Sequence, residues 1–293
     1  MPTEHLNERF VEIDSWSTAE AVEAMLEGQL SAVAAVKPIT PLIAKASEHA
    51  SARLARGGRL VYVGAGTSGR IAAQDGVELT PTFGWPKDRI KFVIAGGLEA
   101  LAASAEAAED DGGASAEALS SLNLNAEDVV IGVAASGETR FTVSALEAAN
   151  KVGALTIGIA NNENTPLLQV AEFGLCAETG SELVAGSTRM KAGTAQKVIL
   201  NLFSTATMIR CGRVYKGLMV NMLISNSKLK RRATEIVQQL TNTDVETATK
   251  AIEAGQGDLK SAILIGLGYG REEAASRLQS SNGNLRAAIE NNS

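Results

Sequence analysis

Short apolar runs alternate with helical segments through the middle of this chain, and this alternation limits the fold more than any other feature. Runs of aliphatic residues recur near 59–63, 91–95, 128–133, 154–160 and 173–177. Segments with helical character separate them, near 68–77, 98–109, 115–121 and 139–151. Fully apolar strands joined through helices are typical of a parallel sheet covered on both faces. The sequence therefore predicts an α/β fold with a doubly wound, five-stranded parallel sheet.

Helical segments also flank this region. Ser17-Thr18-Ala19-Glu20 predicts a capping box that opens a first helix, and a second helix is expected over 41–55. Beyond the sheet we expect long helices at 192–210 and 217–240. Only short helical segments follow, near 244–253, 257–266, 271–278 and 283–290. These patterns divide the chain into an N-terminal helical segment (1–57), a core domain (58–230) and a small all-helical C-terminal module (231–293).

The first predicted strand runs directly into a glycine-rich turn, Val61 to Arg70, that opens a helix. Glycines let the backbone approach an anion, and a helix N-terminus favours negative charge. The turn matches the G-x-G-x-x-G dinucleotide pattern, but the second strand ends in Gly96-Gly97 instead of the acidic residue that holds a ribose. Thr67 and Ser68 suit a compact phosphate, such as one on a sugar. An empty structural turn is the alternative.

A second loop repeats this arrangement. The third predicted strand runs into Ala134-Ala135-Ser136-Gly137-Glu138-Thr139-Arg140 and then a helix. In an open parallel sheet, loops at the carboxyl ends of neighbouring strands meet at the topological switch point. We therefore expect Ser68 and Ser136 to share one phosphorylated ligand. The alternative is that Ser136 and Thr139 only cap the following helix.

Composition narrows the set of partners. The chain has 27 Lys plus Arg against 33 Asp plus Glu, a net charge of −6, so no overall basic field favours a nucleic acid. Its 2 cysteines and 2 histidines form no metal-ligand spacing, and we expect no metal. The chain contains neither a signal-peptide pattern at its start nor an apolar run of about 18 residues. We therefore expect a cytoplasmic protein without a membrane partner.

Several blocks of the sequence together resemble the N-acetylmuramic acid 6-phosphate etherase family. They are Gly64–Arg70, Asp75, Glu78, Pro81–Gly84, Ile94–Gly97, Glu109-Asp110, Ala134–Gly137 and Gly186–Lys197. The resemblance spans nearly the whole chain. It implies a sugar isomerase (SIS) phosphosugar-binding fold with a C-terminal module similar to ubiquitin-associated domains. The chain departs from the family at Glu138, where a basic residue is usual, and at Leu6, where an arginine is usual.

The resemblance also implies a reaction. The 3-O-lactyl ether of N-acetylmuramic acid 6-phosphate is cleaved by elimination and then hydration to give N-acetylglucosamine 6-phosphate and D-lactate, without a metal or an organic cofactor. Glu78 would protonate the departing lactyl oxygen and Glu109 would remove the carbon-2 proton, with the roles reversed when water adds. Without the resemblance, each glutamate also fits a solvated position on a helix.

The remaining roles follow from the same resemblance. The 6-phosphate would be bound by the two loops through Gly66, Thr67, Ser68, Ser136, Gly137 and Thr139. The residues expected to close the site or bind sugar and carboxylate oxygens are Ser187, Arg189 and Lys191. Surface charge explains Arg189 and Lys191 equally well. The family implies a homodimer.

Two other functions stay open. A non-catalytic phosphosugar sensor would bind sugar phosphates without turnover, although no DNA-binding helix pair is evident ahead of residue 60. An aldose–ketose phosphosugar isomerase would act on substrates with a free carbon-2 hydroxyl and would release no lactate.

Overall fold

The computed structural model describes residues 1–102, 106–224 and 226–290. Its strands are β1 Leu60–Gly64, β2 Ile90–Ile94, β3 Val129–Val133, β4 Leu155–Ala160, β5 Phe173–Cys176, β6 Val214–Tyr215 and β7 Leu218–Met219. Its helices are α1 Thr18–Ala34, α2 Thr40–Ala55, α3 Gly66–Phe83, α4 Gly112–Ser121, α5 Arg140–Lys151, α6 Pro166–Val170, α7 Lys191–Arg210, α8 Ser227–Thr241, α9 Val245–Ala254, α10 Leu259–Gly266, α11 Arg271–Ser280 and α12 Leu285–Glu290.

Five parallel strands form the central sheet in the order β2-β1-β3-β4-β5. Leu60 of β1 pairs with Ile90 on one side and with Val129 of β3 on the other. Strands β1, β3 and β4 are buried along their whole length, as strands covered on both faces must be. Because β2 lies on one side of β1 and all later strands on the other, the topological switch point falls between β1 and β3. The predicted fold class is confirmed.

Two predicted helices differ from the structure. Over 98–109 the described residues form two 3-10 segments, Leu98–Leu101 and Glu106–Asp110, and residues 103–105 lie outside the described ranges. The helix predicted over 217–240 is wrong at its start. Lys216 and Gly217 have φ of 46° and 77°, which fits a two-residue hairpin turn between β6 and β7.

The chain divides into two compact units by its contacts. The first unit comprises Met1–Gly76 and Asp88–Thr207, and the second comprises Val77–Lys87 and Met208–Ser293. Residues of one unit lie close together in space, whereas the predicted segments 1–57, 58–230 and 231–293 are continuous stretches defined by changes of sequence pattern, so the two divisions do not correspond. The predicted domain boundaries therefore stay a prediction.

Each unit has an apolar core of its own. In the first unit, buried residues of β1 and β3 pack against α5 through Val61, Val130, Phe141 and Leu146. In the second unit, short helices pack around Ile236, Val237, Ile252, Ile263, Leu264 and Leu285. The capping box predicted at Ser17 and Glu20 is present at the start of α1.

None of the described helices is both long and apolar enough to cross a membrane.

Candidate active site

The loop after β1 depends on glycines that allow close backbone packing. A Cβ added to Gly64 would lie 2.9 Å from the Cα of Gly69, so the end of β1 and the first turn of α3 are in direct contact. Gly66 begins α3 with φ of 51°, a conformation that other residues rarely adopt. The first backbone N–H groups of a helix have no partner within it. The loop therefore presents N–H donors and the positive end of the α3 dipole at the carboxyl edge of the sheet.

The loop after β3 is held in a similar way. Gly137 has φ of 71°, and a Cβ added there would lie 2.2 Å from Oγ1 of Thr165. Thr139 precedes the first residue of α5, but its side chain makes no capping hydrogen bond. The Ser136 hydroxyl accepts a hydrogen bond from the backbone N–H of Glu138 at 3.1 Å. The Thr139 hydroxyl therefore does not cap helix α5, as the alternative interpretation of this loop required.

The two loops meet because β1 and β3 are neighbours in the sheet. They enclose an open cavity of about 470 Å³. Its walls are formed by Glu4, Ala65, Gly66, Thr67, Ser68, Arg70, Glu109, Ala134, Ala135, Ser136, Thr139, Gly186 and Thr188. The structure thus brings together Glu109 and five of the six residues expected to bind phosphate. The sixth, Gly137, is a buried residue of the second loop and does not line the cavity.

Glu109 approaches the first loop closely. Its Oε1 atom would lie only 2.7 Å from a Cβ added to Gly66. The residue is half-buried in the 3-10 segment Glu106–Asp110, which follows β2 along the chain. A carboxylate in this position could act as a base on a ligand whose anionic group lies against the loop after β1.

A buried carboxylate fixes helix α3 against the sheet. Asp75 accepts hydrogen bonds from the Tyr62 hydroxyl at 3.0 Å, from Asn201 Nδ2 at 2.9 Å and from the Ser204 hydroxyl at 3.0 Å. Burial raises the pKa of Asp75, although these hydrogen bonds act in the opposite direction. The contacts join α3 to β1 and α7, so they hold the helix whose N-terminus faces the cavity.

The N-terminal segment supplies another wall. Thr3 is buried, and its hydroxyl accepts a hydrogen bond from Asn162 Nδ2 at 3.0 Å. The same Nδ2 donates to the carbonyl of Ala135 at 2.9 Å. Asn162 thereby ties residues 2–4 to the second loop and keeps Glu4 at the cavity. Oε2 of Glu4 would lie 3.0 Å from a Cβ added to Gly186.

The segment before α7 contributes different residues from those expected. Gly186 and Thr188 line the cavity, whereas Ser187, Arg189 and Lys191 do not. Arg189 is exposed. The Lys191 ammonium donates to the carbonyl of Thr179, and burial lowers the pKa of Lys191 while nearby Glu182 opposes the shift. A substrate-binding role for Ser187, Arg189 and Lys191 stays a prediction.

Helix α7 begins on a buried carboxylate. Glu182 is fully buried, and its two carboxylate oxygens accept the backbone N–H groups of Lys191 at 2.9 Å and Ala192 at 3.0 Å. A negative charge at this position satisfies helix N–H groups and complements the helix dipole. Glu182 therefore fixes the segment that carries Gly186 and Thr188.

Glu78 has a different environment from Glu109. It lies on α3 in the part of the helix that belongs to the second compact unit, and its side chain is exposed. Glu78 does not line the cavity, whose walls are formed by residues of the first unit.

Three cavity residues with polar side chains were not predicted as site residues from the sequence: Glu4, Arg70 and Thr188. Arg70 and Thr188 lie within sequence blocks that carry the family resemblance, and Glu4 lies two residues before Leu6, where the chain departs from the family. The family resemblance therefore pointed to the right segments of the sequence, but only the fold shows which of their side chains face the cavity. Among the described residues, no group of three or more His, Cys, Asp and Glu side chains could hold a metal ion.

Comparison with known proteins defines the class of the chain. Residues 42–150 match the family model of the glucokinase regulatory protein N-terminal SIS domain, and residues 109–206 match the SIS domain model. The structure of a phosphoheptose isomerase from Francisella tularensis is similar, with a TM-score of 0.50 at 17% identity over 67% of this chain and 98% of that one. Fold and sequence together define an SIS-fold protein.

Relatives of similar length define the family. The N-acetylmuramic acid 6-phosphate etherase of Geobacillus thermodenitrificans is 44% identical over 291 residues, which cover 99% of both chains. The etherase of Deinococcus radiodurans is 42% identical over 288 residues, 98% of this chain and 94% of that protein. The chain belongs to the N-acetylmuramic acid 6-phosphate etherase family.

Proposed function

We propose that this protein is a carbon–oxygen lyase that cleaves the lactyl ether of N-acetylmuramic acid 6-phosphate, giving N-acetylglucosamine 6-phosphate and D-lactate. One structural observation supports the proposal in addition to family membership. The hydroxyls of two phosphate-type loops and the carboxylate of Glu109 line one cavity at the switch point of the sheet. This cavity combines an anchor for a phosphate with a base at a short distance from it.

The reaction needs a base and an acid. In the open-chain sugar, the aldehyde at carbon 1 acidifies the proton on carbon 2. A base removes this proton, and the lactyl oxygen leaves carbon 3 with a proton from an acid, which gives D-lactate and an unsaturated aldehyde. Water then adds a hydroxyl to carbon 3 and a proton to carbon 2. One water molecule is consumed, and no electrons are exchanged with a cofactor.

We assign the base to Glu109. Its Oε1 atom lies against Gly66, at the start of the phosphate-binding helix. Thr67, Ser68, Ser136 and Thr139 bind the 6-phosphate together with backbone N–H groups of the two loops. Anchoring the phosphate limits where carbon 2 can lie, and such positioning is a large part of catalysis.

We assign the acid to Glu78 of a second subunit in a homodimer. The Glu78 side chain is exposed and absent from the cavity walls formed by the first unit. The chain also has apolar surface for a second copy. Val22, Leu26 and Leu30 of α1 are 54%, 58% and 64% exposed and recur every four residues on one face of the helix. We place the protein in the cytoplasm, where an amino-sugar phosphate from cell-wall recycling would be available.

A lactate-release assay tests this function. The purified protein should release D-lactate from N-acetylmuramic acid 6-phosphate without an added cofactor, and Glu109→Gln should lower kcat by at least about 100-fold, the range for loss of a general base. Glu8→Gln is the matched control, because Glu8 is an exposed glutamate outside the cavity. Binding of sugar phosphates without turnover would favour the sensor. Conversion of an aldose phosphate with a free carbon-2 hydroxyl to a ketose, without lactate, would favour the isomerase.

A further inference from the structure

The cavity at the switch point has an uneven distribution of charge. Among the described residues that line it, Arg70 is the one cation, and Glu4 and Glu109 are both acidic. The residues outside the described ranges add no cation, because 103–105, 225 and 291–293 are Ala, Ser and Asn only. Within one chain, a second anionic group of a ligand therefore meets two carboxylates and a single guanidinium.

Helix geometry directs Arg70 toward the cavity. Arg70 lies four residues after Gly66 on α3, so the two positions share one face of the helix. Side chains on a helix point toward its N-terminus, and the N-terminus of α3 is where Gly66 and Oε1 of Glu109 meet. Arg70 is thus placed beside the carboxylate that acts on carbon 2.

The substrate of the proposed function carries two anionic groups. One is the phosphate on carbon 6, and the other is the carboxylate of the lactyl substituent on carbon 3. The phosphate is served by neutral donors, the hydroxyls and N–H groups of the two loops. The lactyl carboxylate is attached next to carbon 2, so it must lie close to Glu109, where an uncompensated negative charge would be repelled.

We infer that Arg70 binds the lactyl carboxylate and that this contact distinguishes the lactyl substrate from phosphosugars that lack it. The inference rests on the proposed etherase function. A guanidinium suits this task because it stays charged and matches a carboxylate with two parallel hydrogen bonds. The product N-acetylglucosamine 6-phosphate has no such carboxylate and does not make the contact.

Two competing roles for Arg70 predict different results. If Arg70 held the 6-phosphate, its removal would weaken substrate and product equally, because both carry that group. If Arg70 acted only on Glu109, its removal would lower kcat without weakening substrate binding. If it binds the lactyl carboxylate, only ligands with that carboxylate should lose affinity.

Binding isotherms separate these roles. We would titrate N-acetylmuramic acid 6-phosphate and N-acetylglucosamine 6-phosphate into full-length Glu109→Gln and Glu109→Gln/Arg70→Met. Loss of a charged hydrogen-bonded pair should weaken the lactyl ligand by about 10- to 100-fold, while the affinity for N-acetylglucosamine 6-phosphate should change by less than about twofold. Retained binding of the second ligand also shows that the variant is folded.

Two further variants sharpen the test. Arg70→Lys keeps the charge but not the paired geometry, so the loss for the lactyl ligand should be intermediate. Arg56→Met is the matched control, because Arg56 is an exposed arginine that pairs with Glu127 and does not line the cavity. Added to Glu109→Gln, this substitution should leave the affinity for both ligands unchanged.

Three outcomes would overturn the inference. They are equal weakening of both ligands, unchanged binding of both, and a loss confined to kcat when Arg70→Met is assayed with Glu109 intact. Failure of the proposed function has a separate signature, since the wild-type protein would then release no D-lactate at all.

Discussion

At the scale of single residues, Gly66 lies where the proposed phosphate-binding loop meets the proposed base, Glu109. Its φ of 51° begins helix α3, and Oε1 of Glu109 occupies the space that a side chain at this position would need. The glycine pattern predicted the first loop from sequence. The contact with Glu109 could not be predicted, because it depends on the path of the chain between β2 and α4. Arg70 and Glu4 were not assigned to the site either, because only the fold shows that Arg70 of α3 and the segment held by the contact between Thr3 and Asn162 line the cavity.

Gly66→Ala should therefore reduce activity more than stability. The added methyl group would displace the Glu109 carboxylate, so we expect kcat/KM to fall at least about 10-fold, with a loss of about 1–2 kcal/mol in the free energy of unfolding from the positive φ. D-lactate release and urea denaturation measure the two effects.

Gly180→Ala is the matched control for that prediction. Gly180 has φ of 64°, and no atom lies within 4 Å of an added Cβ. It should show a similar loss of stability with normal activity. Equal activity losses in both variants would mean that backbone strain, and not contact with Glu109, explains the effect.

At the scale of elements, local signals predicted most of the fold. Fully apolar runs predicted all five strands of the sheet, and Ser17 with Glu20 predicted the start of α1. The prediction was wrong at 217–240, where the turn at Lys216-Gly217 forms a hairpin that helical periodicity did not reveal. The N-terminal wall of the cavity was also not predicted, since it depends on the long-range contact between Thr3 and Asn162.

Loss of that contact should weaken substrate binding. Asn162→Ala removes hydrogen bonds to Thr3 and Ala135, and Thr3→Val removes only those of the Thr3 hydroxyl and keeps the one from the backbone N–H. We expect both variants to raise KM for N-acetylmuramic acid 6-phosphate, Asn162→Ala more strongly and with a loss of about 1–3 kcal/mol in the free energy of unfolding.

Asn150→Ala provides the comparison, because Asn150 also donates to a backbone carbonyl, that of Val170, but lies outside the cavity. It should lower stability without changing KM. A normal KM in both Asn162→Ala and Thr3→Val would contradict the role given to the N-terminal segment.

A buried lysine makes the stability of the second unit depend on pH. Burial, with a smaller effect of nearby Arg213, lowers the pKa of Lys260 from 10.5 to about 8, while Asp258 acts in the opposite direction. Below pH 8 the lysine is charged in both states and destabilises the folded one. As the pH rises above 8, the folded state releases its proton first, so stability increases. Between pH 7.5 and 9.5 we expect a gain of about 2 kcal/mol from this group.

Tryptophan fluorescence can measure this gain in the second unit alone. The chain has 2 tryptophans, and Trp16→Phe leaves only Trp85, which is buried in that unit. In this background Lys260→Met should remove the rise in stability, whereas Lys250→Met, a change at an exposed lysine, should retain it. If the stability of Lys260→Met still rises with pH, another titratable group causes the pH dependence.

At the scale of the whole molecule, the proposed mechanism needs two chains for each complete site. If Glu109 of one subunit works with Glu78 of the other, Glu78→Gln and Glu109→Gln subunits should complement each other. Random mixing makes half of the dimers mixed, each with one intact site of two, so activity should return to about a quarter of the wild-type value. No recovery, with subunit exchange demonstrated by differently tagged chains, would mean that both glutamates act from the same chain.

The proposed reaction breaks the bond between carbon 3 and the lactyl oxygen, not the bond on the lactyl side of that oxygen, and water supplies the new oxygen on carbon 3. The most direct test is to incubate the wild-type protein with N-acetylmuramic acid 6-phosphate in water enriched in oxygen-18 and to analyse the lactate by mass spectrometry. We expect D-lactate without the heavy isotope, because lactate keeps its ether oxygen and water supplies the new hydroxyl of the sugar. Lactate that carries oxygen-18 at its hydroxyl, or no lactate, would contradict it.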